Sequence, residues 1–389
     1  MPQEQRPRIR PTAAFLAKLP KTDLHVHLDG SLRLSTIIEL AHEQGVQLPA
    51  DDPAGLAKAI HMGEVCNDLN DYLKAFDITL AILQDEKALY RAAYELAEDA
   101  AKENVRLMEV RYAPILHTRK GLPMTRIVEA VINGLTDARR DFGIVCNVII
   151  SGIRHIAIEQ SVRLAELAVA YKNKGVVGFD LAGAEYDYPA KKFSAAFSLV
   201  RKNNVNSTCH AGEAYGPESI NQAIHVCGAH RIGHGTRLRE DGDLLNYVND
   251  HRIPLEVCLT SNVQTRAVDD FKNHPLKFYF DFGIRVTINT DNRLITDTTI
   301  TTELTRAVET FDLDIFQVRQ LVINGFKSAF LPFHERQAIL RRTSEELDHM
   351  IDEELKTQGL ELKGPTHTLT DGSKRIGPPT LTSLTAVAG

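Results

Sequence analysis

Short apolar runs rich in β-branched residues alternate along the chain with longer segments whose apolar residues recur at helical spacing. The segment SVRLAELAVAYKNKG, residues 161–175, shows the helical pattern, and VTINT, residues 286–290, shows the strand pattern. This alternation is typical of βα units around a parallel sheet. It predicts eight strands, at Thr22–His27, Val105–Tyr112, Ile144–Ile150, Gly175–Leu181, Asn206–His210, Arg231–His234, Leu255–Leu259 and Arg285–Thr290.

Eight βα repeats predict an α/β protein with a (β/α)8 TIM-type barrel. The gap of about 80 residues between the first and second predicted strands predicts a helical insertion. Its text, LNDYLKAFDITLAILQDEKALYRAAYELAEDAAKENV, is strongly helical. We expect the insertion to cover one mouth of the barrel, either as a lid over the catalytic face or as extra packing.

The two ends of the chain differ from this body. Residues 1–11 are polar and rich in Pro and Arg, and residues 364–389 are rich in Thr, Pro, Gly and Ser without helical or strand periodicity. Such compositions favour flexible segments. The sequence therefore predicts one barrel domain at 12–363, between a flexible N-terminal segment and a flexible C-terminal tail.

The composition narrows the class of partner. The chain has 389 residues, a formal net charge of -6, 43% hydrophobic residues and no dense Lys/Arg stripe, so a small-molecule substrate is favoured over nucleic acid. No apolar run reaches the roughly 18 to 20 residues of a spanning helix, and the N-terminus lacks the apolar core of a signal peptide. We therefore expect a cytoplasmic protein without membrane contact. The sequence leaves the oligomeric state open.

Two histidines in TDLHVHLDG, residues 22–30, are the first candidates for chemistry. His25 and His27 share one face of the predicted strand, because side chains at i and i+2 point the same way. Both can therefore reach one metal ion. The alternative is that they are buried, hydrogen-bonded side chains of an ordinary barrel strand, so the other strand ends have to decide.

Three further strand ends carry polar residues that bind metals or move protons. His210 ends one strand and is followed by Glu213 in HAGE, His234 lies between two glycines in RIGHG, and Asp291 follows VTINT. In a parallel barrel these positions fall at the same mouth as the two histidines of the first strand. Three imidazole nitrogens and one carboxylate oxygen suit Zn²⁺, with a coordination position left for water. The pattern predicts a hydrolytic metal site.

Five motifs, in the order HVHLDGS, FDLAGAE, HAGE, RIGHG and TINTD, resemble those of the adenosine deaminase family of the metallo-dependent amidohydrolase superfamily. The resemblance runs from about residue 21 to residue 351. H-x-H alone occurs in many amidohydrolases, whereas HAGE followed 21 residues later by the His of GHG is typical of purine deaminases. The motifs are therefore specific as an ordered set.

The resemblance implies one Zn²⁺ per subunit, bound by His25, His27, His210 and Asp291. It implies that Glu213 is the proton donor, that His234 orients and helps activate the water, and that Asp291 accepts a hydrogen bond from the hydroxide. Substrate contacts are implied for His27, Asp29, Gly183 and Asn292. Asp29 would contact the sugar and Gly183 the ring. From the residues alone, Asp29 could equally be a helix N-cap and Gly183 part of a tight turn.

The implied reaction is hydrolytic deamination of adenosine and deoxyadenosine to inosine and deoxyinosine plus ammonia, a step of purine salvage. Zinc lowers the pKa of bound water toward about 7, which makes hydroxide available near neutral pH. Purine C6 accepts hydroxide once ring N1 is protonated. A carboxyl kept protonated in a partly desolvated pocket, as expected for Glu213, can deliver that proton.

One departure from the family pattern concerns substrate choice. Many members carry a second aspartate after the metal-binding one, in contact with ring N7, where this chain has Asn292. An amide NH₂ can donate to N7, so adenosine and deoxyadenosine remain the leading substrates. Adenine and 6-aminodeoxyfutalosine are alternatives, while adenylate would need a basic cluster for its phosphate that the motifs lack. A catalytically silent nucleoside-binding barrel or growth factor is the alternative outside enzymes.

Seven further histidines match no metal position of the family, and we expect them to have packing or surface roles. They are His61, His117, His155, His225, His230, His251 and His274. Among them we expect His155, which follows the third strand, to lie nearest to the active site.

Overall fold

The eight barrel strands form where the sequence predicts them, and they pair in parallel in chain order. The computed structural model describes residues 9–61, 69–363 and 380–383. The strands are β1 (Lys21–His27), β2 (Val105–Tyr112), β3 (Val145–Ile153), β4 (Val176–Ala182), β5 (Asn206–Ala211), β6 (Arg231–His234), β7 (Leu255–Val257) and β8 (Val286–Ile288). The barrel closes beside β8, where the N–H of Asp291 donates to the carbonyl of His25 at 2.8 Å and the carbonyl of Asp291 accepts from the N–H of His27 at 2.7 Å. The predicted (β/α)8 barrel is confirmed.

The predicted helical insertion between β1 and β2 is also confirmed. Helix α1 (Ala13–Lys18) precedes β1, and the described residues of the insertion form α2 (Leu34–Gln44), α3 (Pro53–Ile60), α4 (Leu69–Lys74), α5 (Phe76–Ile82) and α6 (Glu86–Lys102). Helix α6 begins after Asp85, whose side chain accepts the N–H of Ala88 as an N-cap. Its small and apolar residues, Leu89, Ala93 and Leu96 among them, are buried along one face. Residues 62–68 of the insertion lie outside the described residues.

The remaining helices follow the strands and surround the barrel. They are α7 (Met124–Phe142), α8 (Ile158–Ala170), α9 (Ser194–Lys202), α10 (Pro217–His225), α11 (Gly242–Asp250), α12 (Leu259–Gln264), α13 (Leu276–Phe282), α14 (Ile300–Phe311), α15 (Ile315–Ser328) and α16 (Phe333–Thr357). Local sequence fixes several of their starts. Helix α15, for example, begins with a capping box in which Asp314 and Gln317 satisfy each other's backbone N–H groups.

The interior of the barrel contains a network of buried charges beneath the mouth. Arg231 contacts Glu109 at 2.6 Å and Glu256 at 2.5 Å, while Arg111 contacts Glu256 at 2.8 Å and Asp180 at 3.5 Å. All five side chains are almost completely buried. Because an unpaired buried charge is costly, the pairing of opposite charges is what makes this interior possible. The network reaches the site through Glu256 and Asp180.

The chain ends are described only in part. Ile9 is buried, and its carbonyl accepts the N–H of Ile315. Strand β9 (Leu360–Lys363) pairs antiparallel with β10 (Thr380–Ser383), while residues 1–8, 364–379 and 384–389 lie outside the described residues. The predicted domain limits and the flexible ends remain predictions. Among the described helices, none is long and apolar enough to cross a membrane.

Candidate active site

Three imidazoles and one carboxylate converge at the mouth where the strands end. Nε2 of His27 lies 3.2 Å from Nε2 of His210, and Oδ1 of Asp291 lies 3.4 Å from Nε2 of His25 and 3.3 Å from Nε2 of His27. Burial lowers the pKa of His25 to about 4, so its imidazole is neutral near pH 7. The predicted ligands therefore lie together around one point.

Two of these imidazoles form hydrogen bonds with buried carboxylates through Nδ1, the ring nitrogen that faces away from the other ligands. Nδ1 of His25 lies 2.9 Å from Glu256, and Nδ1 of His210 lies 3.1 Å from Asp180. Each carboxylate accepts a hydrogen bond from Nδ1–H, so the proton of the neutral ring lies on Nδ1 and the lone pair of Nε2 faces the common centre. Nε2 of His25 is buried and has no hydrogen-bond partner among the described residues. An orphaned acceptor nitrogen among two other imidazoles and a carboxylate fits a bound divalent cation.

Asp291 and His234 hold their side chains on strained backbone. Their φ angles are 62° and 63°, in the left-handed region that non-glycine residues rarely adopt. Oδ2 of Asp291 accepts the hydroxyl of Ser261 at 2.6 Å. Burial opposes ionisation of Asp291, but the imidazoles of His25, at 3.4 Å, and of His27 and His234 hold the pKa of its carboxyl well below the usual value. The carboxylate is thus available as an anionic ligand.

Gly233 shows why a glycine precedes His234 in β6. A Cβ at this position would lie 3.0 Å from the His25 ring and 3.2 Å from the Cα of His210. Both contacts are tight, and they involve two of the predicted ligands. The glycine therefore lets β6 approach the cluster of predicted ligands closely.

Glu213 lies beside His234 at the edge of this cluster. Its Oε2 is 3.5 Å from Nε2 of His234, and its Oε1 accepts the hydroxyl of Thr265 at 3.0 Å. Burial raises the pKa of Glu213, and the nearby carboxylate of Asp291 adds to that shift against the lowering effect of His234. The side chain is therefore suited to carry a proton into the cavity.

The loop that carries Glu213 is held by a second glutamate. Glu185 is buried, and its two carboxylate oxygens accept the backbone N–H groups of residues 212, 213, 214 and 215 at 2.7, 3.0, 2.6 and 3.1 Å. Four amide donors on one carboxylate fix the turn after β5. Glu185 therefore fixes the position of Glu213 relative to His210.

A cavity of about 220 Å³ extends from the cluster toward the insertion. Its walls include His27, Glu213, His234 and Asp291 at one end and Tyr72, Leu73, Phe76 and Leu80 of the insertion at the other. The insertion therefore lines the cavity, whereas its motion as a lid remains a prediction. His155 lines the cavity as well, which agrees with its expected place near the active site.

The predicted substrate residues also line this cavity. Oδ1 of Asp29 and Oδ1 of Asn292 are buried without a hydrogen-bond partner among the described residues, and burial raises the pKa of Asp29 to about 7. Gly183 has a φ of 94°, and a Cβ there would lie 3.0 Å from Nδ1 of His155. The NH₂ of Asn292 donates to the hydroxyl of Tyr72 at 2.9 Å. Asn292 was expected to offer that group to a purine N7.

The sequence did not reveal the residues that support the site. These are Asp180, Glu185, Glu256, Ser261, Asn262 and Thr265. One available signal was the presence of Asp180 and Glu256 inside otherwise apolar strands, because a buried charge needs a partner. The other four lie in the loop after β4 or in and directly after α12, where the sequence offers no comparable signal.

Comparison with known proteins identifies the family. Residues 20–346 match the family model described as adenosine deaminase. An adenosine deaminase from Mycobacterium avium is 41% identical over 84% of this chain and 94% of its own length. A probable adenosine deaminase from Dictyostelium discoideum is 41% identical over 82% of this chain, which spans only 42% of that relative.

Solved structures show the same fold. An adenine deaminase from Arthrobacter aurescens, 27% identical, matches 85% of this chain and 99% of its own with a TM-score of 0.79. A Burkholderia ambifaria amidohydrolase with bound Zn, 25% identical, matches 89% of this chain and 98% of its own with a TM-score of 0.82. An Arabidopsis N6-mAMP deaminase, 28% identical, matches 86% and 99% with a TM-score of 0.74. The chain therefore belongs to the adenosine deaminase family of purine-deaminating hydrolases.

Proposed function

We propose that this chain is a zinc-dependent deaminase of adenosine and deoxyadenosine, which forms inosine or deoxyinosine and ammonia. The observation that carries the proposal is one cavity in which the His/Asp cluster, the carboxyl of Glu213 and the imidazole of His234 meet. Membership in the adenosine deaminase family supports a purine as the group that this cavity takes. Apolar side chains such as Phe76 and Leu116 supply walls suited to a flat ring.

His25, His27, His210 and Asp291 are the proposed zinc ligands. Three neutral nitrogens and one carboxylate oxygen form a donor set typical of catalytic Zn²⁺ sites. The bound Zn of the Burkholderia relative supports this choice of ion. When bound, zinc lowers the pKa of a coordinated water so that hydroxide is available near neutral pH.

The proton for the purine comes from Glu213 in this proposal. Its carboxyl, with the raised pKa, holds a proton at the edge of the cavity and transfers it to ring N1. Protonation of N1 withdraws electrons from C6 and makes that carbon accept the nucleophile. Asp29 is proposed to accept a sugar hydroxyl at its unpaired Oδ1, and Gly183 to border the ring.

The charges along the cavity favour a nucleoside over a nucleotide. Among the described residues that line it, Arg119 is the one Lys or Arg, and Asp77 of the insertion lines it as well. A phosphate is normally bound by several cationic or N–H donors. A single guanidinium with a carboxylate in the same cavity does not provide such a cluster.

Adenine and 6-aminodeoxyfutalosine are the alternative substrates. The similarity to an adenine deaminase structure supports adenine, since the same barrel can hold a free base. The hydrogen bond from the NH₂ of Asn292 to Tyr72 is equally compatible with a free base and with a nucleoside. The choice therefore depends on the sugar end of the cavity, where Asp29 lies.

A substrate panel tests the proposal. Zinc-loaded and chelated enzyme are compared on adenosine, deoxyadenosine, adenine, adenylate and 6-aminodeoxyfutalosine by ultraviolet absorbance, with metal content measured in parallel. We expect the highest kcat/KM on adenosine and deoxyadenosine, and loss of turnover on chelation. Zinc-loaded enzyme that leaves adenosine unchanged while deaminating adenine would replace the proposed substrate. Absence of any spectral change with every compound would favour a binding protein.

A further inference from the structure

A chain of buried hydrogen bonds runs from the start of α13 to His234. The backbone N–H of Leu276 points at Nδ1 of His274 at 3.0 Å. Nε2 of His274 lies 3.2 Å from Oδ1 of Asn262, and the Nδ2 of Asn262 lies 2.9 Å from Nδ1 of His234. The other nitrogen of His234 faces Oε2 of Glu213 at 3.5 Å. The chain thus ends on the proton donor of the cavity.

The donor and the acceptor of each hydrogen bond in this series follow from its first donor, the backbone N–H of Leu276. A backbone N–H can only donate, so Nδ1 of His274 is an acceptor and the ring proton lies on Nε2. That proton is donated to Oδ1 of Asn262, which assigns the oxygen and nitrogen of the amide. The NH₂ of Asn262 then donates to Nδ1 of His234. The proton of neutral His234 therefore lies on Nε2.

Burial keeps this direction fixed. The exposed fractions of His274, Asn262 and His234 are 3%, 0% and 1%. Burial lowers the pKa of His274 to about 3, so this ring stays neutral and cannot donate from both nitrogens. In a dry interior, reversing one bond would leave a donor facing a donor, which is costly.

We propose that His274 and Asn262 are positioning residues that fix the Nε2–H tautomer of His234. His234 then acts on the substrate side as a hydrogen-bond donor from Nε2. The donor atoms of His25, His210, His234 and Asp291 all lie within 4.8 Å of one another, so distance alone would also admit His234 as a metal ligand. A protonated Nε2 has no lone pair for a metal, which leaves His27 as the third imidazole of the ligand set.

The substitution Asn262→Asp is expected to reverse the hydrogen bond between residue 262 and His234. The carboxylate still accepts from His274, but its second oxygen now faces Nδ1 of His234 and draws the proton to that nitrogen. In zinc-loaded enzyme we expect ¹⁵N NMR of labelled histidines, assigned with the His234→Gln variant, to show His234 changed from the Nε2–H to the Nδ1–H tautomer. We expect kcat to fall by about 100-fold or more, with KM changed far less, as for an imidazole held in the wrong tautomer.

Two further variants serve as a control and as a second test of the proposal. Asn324→Asp places a carboxylate in another buried amide site, on α15, where Asn324 donates to the carbonyl of Val286. We expect it to lower the melting temperature while kcat and the His234 signal stay near wild type. His274→Phe removes the donor that orients Asn262 and also the acceptor of the Leu276 N–H. We expect a mixture of His234 tautomers and a smaller loss of kcat, which keeps the proposal testable if Asn262→Asp does not fold.

The inference rests on the proposed function for its kinetic readout, whereas the NMR readout needs no substrate. Failure of adenosine turnover in the wild type would overturn the proposed substrate and leave the tautomer measurement intact. A wild-type His234 with the proton on Nδ1 would overturn the inference. So would an unchanged tautomer in both folded Asn262→Asp and His274→Phe.

Discussion

The two ends of the cavity have different surroundings. We call the end with the proposed zinc ligands the metal end, and the end toward Asp29, Tyr72 and Asn292 the substrate end. At the metal end, His25 and His210 are backed by Glu256 and Asp180, and these carboxylates belong to the charged network inside the barrel. At the substrate end, three buried polar atoms of residues that line the cavity have no hydrogen-bond partner among the described residues. They are Oδ1 of Asp29, the hydroxyl of Tyr112 and Oδ1 of Asn292.

The difference indicates which contacts the protein makes by itself and which it leaves to a substrate. A buried polar atom without a partner costs free energy, so the substrate end gains when a ligand supplies hydrogen bonds there. The metal end instead has two of its imidazoles, those of His25 and His210, oriented in advance by carboxylates. We therefore expect changes at the metal end and at Glu213 to affect turnover strongly, and changes at the substrate end to affect binding moderately.

The largest effect is expected for Glu213→Gln. The amide has nearly the same shape but cannot deliver a proton to N1, so kcat should fall by about 1,000-fold or more. Metal content should remain near one ion per chain, because Glu213 is not among the proposed ligands. Steady-state kinetics and metal analysis of the same preparation check both points. A kcat near that of wild type would remove Glu213 from the mechanism.

The pH dependence offers a second view of Glu213. Burial raises the pKa of this carboxyl, and the protonated form is the one that donates. Activity should therefore be present below the pKa of Glu213 and be lost as the pH rises through it. Thr265→Val removes a hydroxyl that donates to Oε1 and stabilises the carboxylate, so it should move this alkaline limb to higher pH. A limb unchanged in Thr265→Val would assign it to another group.

Much of this site could be predicted from the sequence because most of its residues lie at or just after the C-terminal ends of strands. Strand periodicity gave the barrel, and the rule that parallel strands end at one mouth brought together His25, His210 and Asp291. The supports could not be predicted in the same way. Glu185 meets the loop of Glu213 through backbone N–H groups that carry no sequence signal. Such contacts depend on loop conformation, which is set by tertiary packing.

Asp180→Asn tests the carboxylate support of the metal end. The amide cannot hold the proton on Nδ1 of His210 as a carboxylate does, so zinc affinity should fall by about 10- to 100-fold. Competition with a chelator measures it. Asp141→Asn, which changes an exposed carboxylate paired with Arg140, is the matched control and should leave the affinity unchanged. Equal affinities in the two folded variants would show that Asp180 does not support the metal.

Glu185→Gln tests the loop that carries Glu213. The new NH₂ would face backbone donors in place of an oxygen, so some of the four N–H groups would lose their acceptor. We expect kcat to fall by about tenfold through misplacement of the proton donor, with zinc affinity retained. Kinetics and chelator competition separate the two quantities. A parallel loss of zinc would mean that Glu185 supports His210 instead.

The smallest effect is expected at the substrate end, for Tyr72→Phe. The Tyr72 hydroxyl contacts Thr296 at 2.6 Å and accepts a hydrogen bond from the NH₂ of Asn292, whose Oδ1 has no hydrogen-bond partner among the described residues. With its NH₂ held at Tyr72, Asn292 is not oriented to donate to a purine N7. We therefore expect that replacing adenosine by 7-deazaadenosine changes the binding constant of the wild type little.

Loss of the Tyr72 hydroxyl frees that NH₂ to turn toward N7. In Tyr72→Phe, adenosine should therefore bind about fivefold more tightly than 7-deazaadenosine, which corresponds to one hydrogen bond of about 1 kcal/mol. Competition against deamination of a fixed substrate measures both constants. If the wild type already prefers adenosine by that factor and Tyr72→Phe does not, Asn292 donates to N7 in the complex. The substrate end would then be arranged in advance like the metal end, because Tyr72 would be orienting the amide for the purine.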